Sequence, residues 1–245
     1  MSLWEYANPQ KFMALSARLL PPVAALAALC LITGLTWAFF FIPDDRVQGS
    51  TVKIFYLHVP AAMMAVNAWV MMLVTSLVWL IRRHHVSALA AKAAAPIGLT
   101  FTLIALLTGA LWGAPMWGSP WEWDPRLTSF AILFLFYLGY IALWQAVENP
   151  DSAADLTALL CLVGSVFAVA SRYAAVFWAQ GLHQGATLSL DAEENIADVF
   201  WYPALVVIAG FVFLFIALVL ARTRTEIRAR RLAALEARER IWGDA

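Results

Sequence analysis

Long apolar stretches alternate with short polar segments along the whole chain. Apolar windows of roughly twenty residues occupy positions 19–42, 59–81, 93–112, 127–147, 156–179 and 199–221. Each window is long enough to cross a hydrocarbon core about 30 Å thick as an α-helix. The strands of an outer-membrane barrel would run only about ten residues each. The pattern therefore predicts an all-α integral membrane protein with six transmembrane helices.

Composition supports this interpretation and leaves little chain for anything else. The 245 residues are 63% hydrophobic and 13% charged, against about 45–50% and about 25% in soluble domains. The first window exceeds the length of an ordinary signal-peptide core, so we expect it to be retained. We therefore predict one polytopic membrane domain over residues 1–245, ending in a basic tail, 222–245. We expect it to contact the lipid bilayer and no nucleic acid.

Basic residues predict the orientation of the six spans. Twelve lysines and arginines lie on the side that carries both termini, and three lie on the other side. The three are Arg46, Lys53 and Arg126. By the positive-inside rule both termini face the cytoplasm. The connections after spans one, three and five then face the bacterial periplasm.

The connection between spans three and four has an unusual composition. Residues 117–128 read WGSPWEWDPRLT, with three tryptophans, two acidic residues and an arginine. Tryptophan is common at membrane interfaces, because its ring is apolar and its N–H seeks a polar partner. Three rings in one short connection exceed what an interfacial anchor needs, so we expect this segment to bind a ligand.

Two of the four histidines fall on the same predicted side as this segment. His58 stands in FYLHVPAA at the outer start of the second span, and His183 stands in GLHQGAT after the fifth. His84 and His85 belong to a basic cytoplasmic turn, which explains them without a ligand. Imidazoles beside flat aromatic rings match the needs of an iron-bearing macrocycle, since iron takes neutral imidazole nitrogens axially.

Three charged residues fit the rim of such a site. Arg126 can pair with carboxylates of the macrocycle, and Asp124 can hold Arg126, a ring N–H or a ligand histidine in place. Arg172 lies inside the fifth span, and a charge at that depth is a functional candidate by default. No histidine lies in the interior of a span, so the sequence predicts a site at the outer rim.

The segment fits the W-G-x-x-W-x-W-D signature of haem-handling membrane proteins. Together with KIFYLHVPAA and GLHQGAT, it resembles the cytochrome c maturation protein C family over essentially the whole chain. The resemblance implies that the following residues present haem: Trp117, Gly118, Trp121, Trp123 and Asp124. It also implies that His58 and His183 are the axial ligands of the haem iron. Pro120 falls at a variable position of the signature, and Pro125 directly follows its last residue.

The resemblance further implies a subunit of the system I cytochrome c maturation machinery in a bacterial inner membrane. Haem b, bound transiently on the periplasmic side, is then attached to a histidine of the haem chaperone, cytochrome c maturation protein E. The A and B subunits of an ABC-type complex, with the small D subunit, release the loaded chaperone. The chain contains no G-x-x-x-x-G-K-[ST] motif, so any ATP dependence comes from a partner. We expect no catalytic residue in the chain itself, since the haem and the chaperone carry the chemistry.

Other interpretations of the same residues remain open. Glu122 and Asp124 can form the acidic metal site of a membrane-embedded transferase. Alternatively, the protein is a non-haem transporter or structural subunit, and its tryptophans only pack at the interface. The tail beyond Arg222 fits a basic helix lying on anionic lipid or a partner-binding helix.

Overall fold

The computed structural model describes residues 8–177 and 196–243 of the chain. It contains six long helices, which are α1 (Pro9–Phe40), α2 (Phe55–Arg82), α3 (His85–Trp117), α4 (Pro125–Ala146), α5 (Pro150–Phe177) and α6 (Asp198–Gly243). A short 3-10 helix, Ser50–Ile54, precedes α2. All six helices have the length and apolarity needed to cross a membrane. Within the described ranges no strand forms, so the predicted all-α fold with six spans is confirmed.

The helices extend beyond the apolar windows because polar residues cap their ends. α1 begins at Pro9 instead of residue 19, and the Asn8 side chain accepts a hydrogen bond from the Gln10 N–H at 2.8 Å. Proline suits the first helical position, where its missing N–H has no intrahelical partner to lose. The residues ahead of the first window therefore form the first turns of α1.

The turn between α2 and α3 is tight and well capped. Arg83 adopts a left-handed backbone with φ 51°, and the His84 Nδ1 atom accepts from the Ser87 N–H at 3.0 Å. The His85 ring lies 5.3 Å from the ring of Trp79. Both histidines thus have structural roles beyond those of a solvated turn.

Buried polar contacts join the helices near the centre of the bundle. The Trp69 indole on α2 donates to the Cys161 carbonyl at 3.3 Å and to the Ser165 hydroxyl at 3.2 Å, both on α5. The Tyr137 hydroxyl on α4 donates to the Ala65 carbonyl at 2.7 Å. Since hydrocarbon offers no alternative partner, such bonds help to fix how the helices pack.

α1 packs chiefly against α6, through small residues on both helices. Gly34 on α1 lies directly against Val207, and Gly210 on α6 lies against Leu31. Glycine lets two helix backbones approach closely, which is a common basis of helix pairing in membranes. Beyond the apolar part of α6 the Arg224 guanidinium donates to the Met13 carbonyl at 2.8 Å. The tail is thus a direct continuation of α6 up to Gly243.

One end of the bundle carries residues 41–54 and 113–125. It is named the WWD end, after the tryptophans and the aspartate of the signature at residues 117–124. It is the end predicted to face the periplasm. The opposite end carries the α2–α3 turn and the start of α5, where His85 lies 3.8 Å from Asp151.

Candidate functional site

His58 lies in the first turn of α2, at the WWD end, and its imidazole is held by α3. Its Nδ1 atom is 3.0 Å from the Ala105 carbonyl oxygen and 3.2 Å from the Thr108 hydroxyl oxygen. A carbonyl oxygen can only accept a hydrogen bond, so Nδ1 carries the proton. In the neutral ring the lone pair therefore resides on Nε2, which is the form suited to binding a metal.

Trp112 packs against the same imidazole from one turn further along α3. The two ring centroids are 5.7 Å apart with an interplanar angle of 73°. The Trp112 indole N–H donates to the Gln48 side-chain oxygen at 3.0 Å. Gln48 is held in turn by Asp45, whose carboxylate accepts from the Gln48 backbone N–H at 2.8 Å. The connection between α1 and α2 thus fixes the Trp112 ring, which contacts His58.

The turn at Asp45 is stabilised by its charge. Backbone N–H groups of Gln48 and then Val47 donate to the Asp45 carboxylate, and these bonds lower its pKa below the usual value. The N–H donors favour the ionised form because they stabilise a negative oxygen. The turn that orients Gln48 therefore stays charged at neutral pH.

Trp117 is the last residue of α3 and not part of a loop. Its ring lies so close to Gly113 that a Cβ atom there would be 2.9 Å from Trp117 Cε3. Gly118 then ends the helix with φ 78°, and its N–H donates to the Ala114 carbonyl at 3.0 Å. Glycine is favoured here because the left-handed backbone strains other residues. The signature thus starts in a helix and continues in a short connection.

Trp121 and Trp123 form an edge-to-face pair in that connection. Their ring centroids are 5.5 Å apart at an interplanar angle of 80°. Ser119 fixes the turn before them by donating its hydroxyl to the Trp121 carbonyl at 2.7 Å. Trp123 is 80% exposed, whereas the Trp121 indole nitrogen is buried and has no hydrogen-bond partner among the described residues. The pair thus combines an open aromatic face with an unsatisfied donor.

Asp124 forms the helix cap that starts α4. It is only 6% exposed, and its carboxylate accepts from the Leu127 backbone N–H at 2.6 Å. Pro125 follows at the first helical position, so the D-P pair gives a favoured helix start. The sequence predicts that Asp124 holds Arg126, a ring N–H or a histidine, and the helix cap is a further role for the same carboxylate.

Arg126 lies at the start of α4 and Arg172 in the later part of α5, so both lie toward the WWD end. Their positive charges lie close enough to oppose each other, and the negative charge of Asp124 partly compensates on Arg126. The Arg172 guanidinium also lies 5.7 Å from the centre of the Tyr173 ring. Two neighbouring guanidinium groups repel, so an anion beside them is stabilised.

The structure thus groups the predicted residues in three places. His58 contacts α3, Trp121 pairs with Trp123, and Arg126 lies near Arg172 and Asp124. His183 lies outside the described residues, so its predicted role as a second ligand stays a prediction. Four residues around His58 were not predicted. They are Gln48, Thr108, Gly109 and Trp112.

A spacing in the sequence could have indicated part of this group. Ala105, Thr108 and Trp112 recur at intervals of three and four residues, which places them on one face of α3. The sequence does not show that this face meets α2.

Comparison with known proteins decides the family. A family model described as "Heme exporter protein C" matches residues 2–238 of the chain. The chain belongs to the heme exporter protein C family. The resemblance drawn from the tryptophan-rich signature is thereby confirmed.

Relatives in this family match along almost the full length of the chain. A heme exporter protein C from Rhodobacter capsulatus is 73% identical over 241 residues, covering 98% of this chain and 100% of that protein. One from Paracoccus denitrificans is 71% identical over 239 residues, covering 98% and 99%. One from Escherichia coli K12 is 36% identical over 241 residues, covering 98% and 94%.

Proposed function

We propose that this protein handles haem in a bacterial inner membrane and presents it at the periplasmic face. The haem is there attached covalently to the haem chaperone, cytochrome c maturation protein E, in support of c-type cytochrome assembly. Family membership supports the proposal, because the relatives are named for heme export. Six helices suited to crossing a membrane support the location.

The Trp121–Trp123 pair is the observation that carries the proposal. A porphyrin has a wide apolar face and two carboxylates at one edge, and it needs contacts of both kinds. Trp123 offers an exposed ring, while the buried Trp121 N–H has no acceptor in the described parts of the chain. An unsatisfied buried donor costs about 1–3 kcal/mol. A ligand carboxylate that accepts from it removes that cost.

His58 supplies the nitrogen that the iron requires. Its Nδ1–H bond to α3 selects the tautomer of the neutral ring in which the lone pair lies on Nε2. We propose that Nε2 of His58 and the imidazole of His183 would hold the haem iron. The haem supplies the iron and the reactive macrocycle, while the protein supplies orientation and electrostatics.

Arg126 and Arg172 supply charge complementarity for the carboxylate edge. Their mutual repulsion at the WWD end favours a dianionic ligand between or beside them. Asp124 sets the start of α4 and thereby the position of Arg126, two residues later. Trp117 and Gly118 set the direction in which the chain leaves α3.

The remaining steps belong to partners. We propose that the protein acts with the A, B and D subunits of the same machinery, and that the ATPase activity lies in another subunit. The chaperone histidine is the acceptor in the covalent step. The described contacts at the WWD end bind and orient a ligand, and none of the proposed site residues is assigned a catalytic role.

Absorption spectra of the purified protein test the proposal, with and without the chaperone. His58→Ala and His183→Ala should each change the type of haem spectrum, and added imidazole should partly restore it. Trp121→Ala and Trp123→Ala should lower haem content without changing the spectrum, because stacking is lost at about 1–3 kcal/mol per ring. His85→Ala, at the opposite end of the bundle, is the control. If both site histidine variants keep the wild-type spectrum, axial ligation by them is wrong.

Substitution by phenylalanine separates haem binding from interfacial packing. Phenylalanine keeps an aromatic face but lacks the indole N–H. Trp121→Phe should therefore lose haem, since it removes the buried donor, and Trp123→Phe should lose less. Full haem content and full chaperone loading in both variants would instead favour tryptophans that only pack at the interface.

A further inference from the structure

We propose that Thr108 and Gly109 of α3 are positioning residues for His58. Together they fix the location of the imidazole and the nitrogen that carries its proton. Neither residue belongs to the tryptophan-rich signature. The inference rests on the proposed function, in which His58 is an axial ligand of the haem iron.

Thr108 contributes a hydrogen-bond acceptor whose direction is set by α3 itself. Its hydroxyl lies 2.6 Å from the Ile104 carbonyl oxygen, one turn earlier, and donates to it. With its hydrogen used there, the hydroxyl oxygen can accept from His58 Nδ1–H at 3.2 Å. Nδ1–H is therefore shared between two acceptors on α3, Thr108 and the Ala105 carbonyl.

Gly109 contributes space. A Cβ atom at this position would lie 2.9 Å from His58 Cε1 and 3.4 Å from Nδ1. The first distance is shorter than carbon atoms in contact tolerate, so the ring rests on the bare backbone of α3. An alanine would move it by at least about 0.5 Å, the step from 2.9 Å to the 3.4 Å where ordinary contact begins. A displacement of that size is enough to disturb a metal-ligand geometry.

Trp112 closes the third side of the imidazole. The Trp112 indole is itself held by its hydrogen bond to Gln48. The imidazole of His58 therefore cannot turn away from Thr108 without disturbing its contact with the Trp112 ring. A partner that accepts from the non-ligating nitrogen of a metal-bound histidine fixes the tautomer and makes the ligating nitrogen more basic. Thr108 should therefore affect both how tightly haem is held and its reduction potential.

The test compares Thr108→Val, Thr108→Ser and Thr100→Val in haem titrations and redox titrations of the purified full-length protein. Valine keeps the shape of threonine but removes the hydroxyl, while serine retains it. Thr100 is the matched control, because its hydroxyl makes the same kind of bond one turn back, to the Pro96 carbonyl at 2.9 Å, on an exposed face. If the Thr108 hydroxyl served only its hydrogen bond within α3, Thr108→Val and Thr100→Val would have the same haem affinity and reduction potential.

We expect Thr108→Val to weaken haem binding by about tenfold, at the lower end of such effects because the Ala105 carbonyl remains. Its reduction potential should shift to a more positive value, since a less basic nitrogen stabilises ferric iron less. Thr108→Ser should restore both properties, and Thr100→Val should match the wild type. Equal affinity and potential in Thr108→Val and the wild type would overturn the role of Thr108.

Gly109→Ala is a second variant that leaves the Thr108 hydroxyl intact. We expect a changed haem spectrum, because the imidazole is displaced. Gly139→Ala is its control, since a Cβ there would meet Leu160 at an ordinary 3.6 Å. A wild-type spectrum in Gly109→Ala would overturn the steric part of the inference.

His58→Ala, measured alongside, separates the inference from the proposed function. If His58→Ala changes the spectrum while Thr108→Val and Gly109→Ala do not, ligation stands and positioning by α3 is wrong. If His58→Ala leaves the spectrum unchanged, the ligand assignment itself is wrong, and the inference fails with it.

Discussion

Replacing Asp124 separates two roles that one carboxylate can have. Asp124 caps α4 through the Leu127 N–H at 2.6 Å and also lowers the net positive charge near Arg126. Asparagine retains a cap acceptor and loses the charge, whereas alanine loses both. The pair Asp124→Asn and Asp124→Ala therefore distinguishes the structural contribution from the electrostatic one.

The burial of Asp124 sets the loss of stability expected when its side chain is removed. Removing an N-cap side chain costs about 0.5–2 kcal/mol, and the buried position of Asp124 places this cap in the upper half, about 1–2 kcal/mol. At about 2–4 °C per kcal/mol for a chain of this size, Asp124→Ala should lower the melting temperature by roughly 2–8 °C. Asp124→Asn should stay within about 1 °C, since asparagine caps as well as aspartate.

Thermal unfolding in detergent and haem content of the same samples are the two measurements. We expect Asp124→Asn to have the melting temperature of the wild type but a different haem content. The substitution removes the negative charge that partly compensates the charges of Arg126 and Arg172. A large loss of stability in Asp124→Asn would refute the capping argument. Wild-type haem content and chaperone loading in Asp124→Asn would refute an electrostatic role at the site.

Three further outcomes are expected. Arg126→Ala should weaken haem retention by about 1–3 kcal/mol through loss of a charge-assisted hydrogen bond, and unchanged haem content and chaperone loading would leave Arg126 without a role in binding. Gly98→Ala should destabilise the bundle by about 1–3 kcal/mol, measured by thermal unfolding, because a Cβ there overlaps the Tyr137 ring; a wild-type melting temperature would contradict this. Burial, and then the charge of His85, lower the pKa of His84 in the folded protein. The neutral His84 side chain therefore contributes to the free energy of unfolding above about pH 6.5, the pKa of an unperturbed histidine. This contribution is lost as the pH falls through the lowered pKa of the folded state. His84→Asn, which caps without titrating, should remove that part of the pH dependence of unfolding, and an identical pH profile would exclude His84 as its source.

Apolar length was enough to predict the six spans, since each window exceeds what a bilayer crossing requires. The ends were less predictable, because they depend on polar residues that the windows exclude. Asp124-Pro125 is a readable helix start, and Gly118 is a readable helix end. Trp117 nevertheless lies in α3, because α3 extends five residues past the apolar window that ended at Trp112.

The surroundings of His58 could not be predicted from the sequence. Its partners Thr108 and Gly109 lie some fifty residues away, and their contact depends on the register in which α2 and α3 pack. Helical spacing can place residues on one face, but it does not identify the helix that this face meets. Arg126 and Arg172 are predicted for the same site only because both lie toward the outer side of the membrane, and the sequence does not show that their charges interact. His183 stays a prediction.

The pairing of α1 with α6 has a consequence for how the protein is made. Chains are synthesised from the amino terminus, so α1 is made well before α6, its main packing partner. Until α6 has been inserted, the surface of α1 around Gly34 lacks the residues of α6 against which it packs. A chain that stops after α5 keeps the contacts among α2, α3, α4 and α5 but lacks the main packing partner of α1. Insertion and completed assembly are therefore separate events in this protein, divided by the translation of more than 150 residues between Phe40 and Asp198.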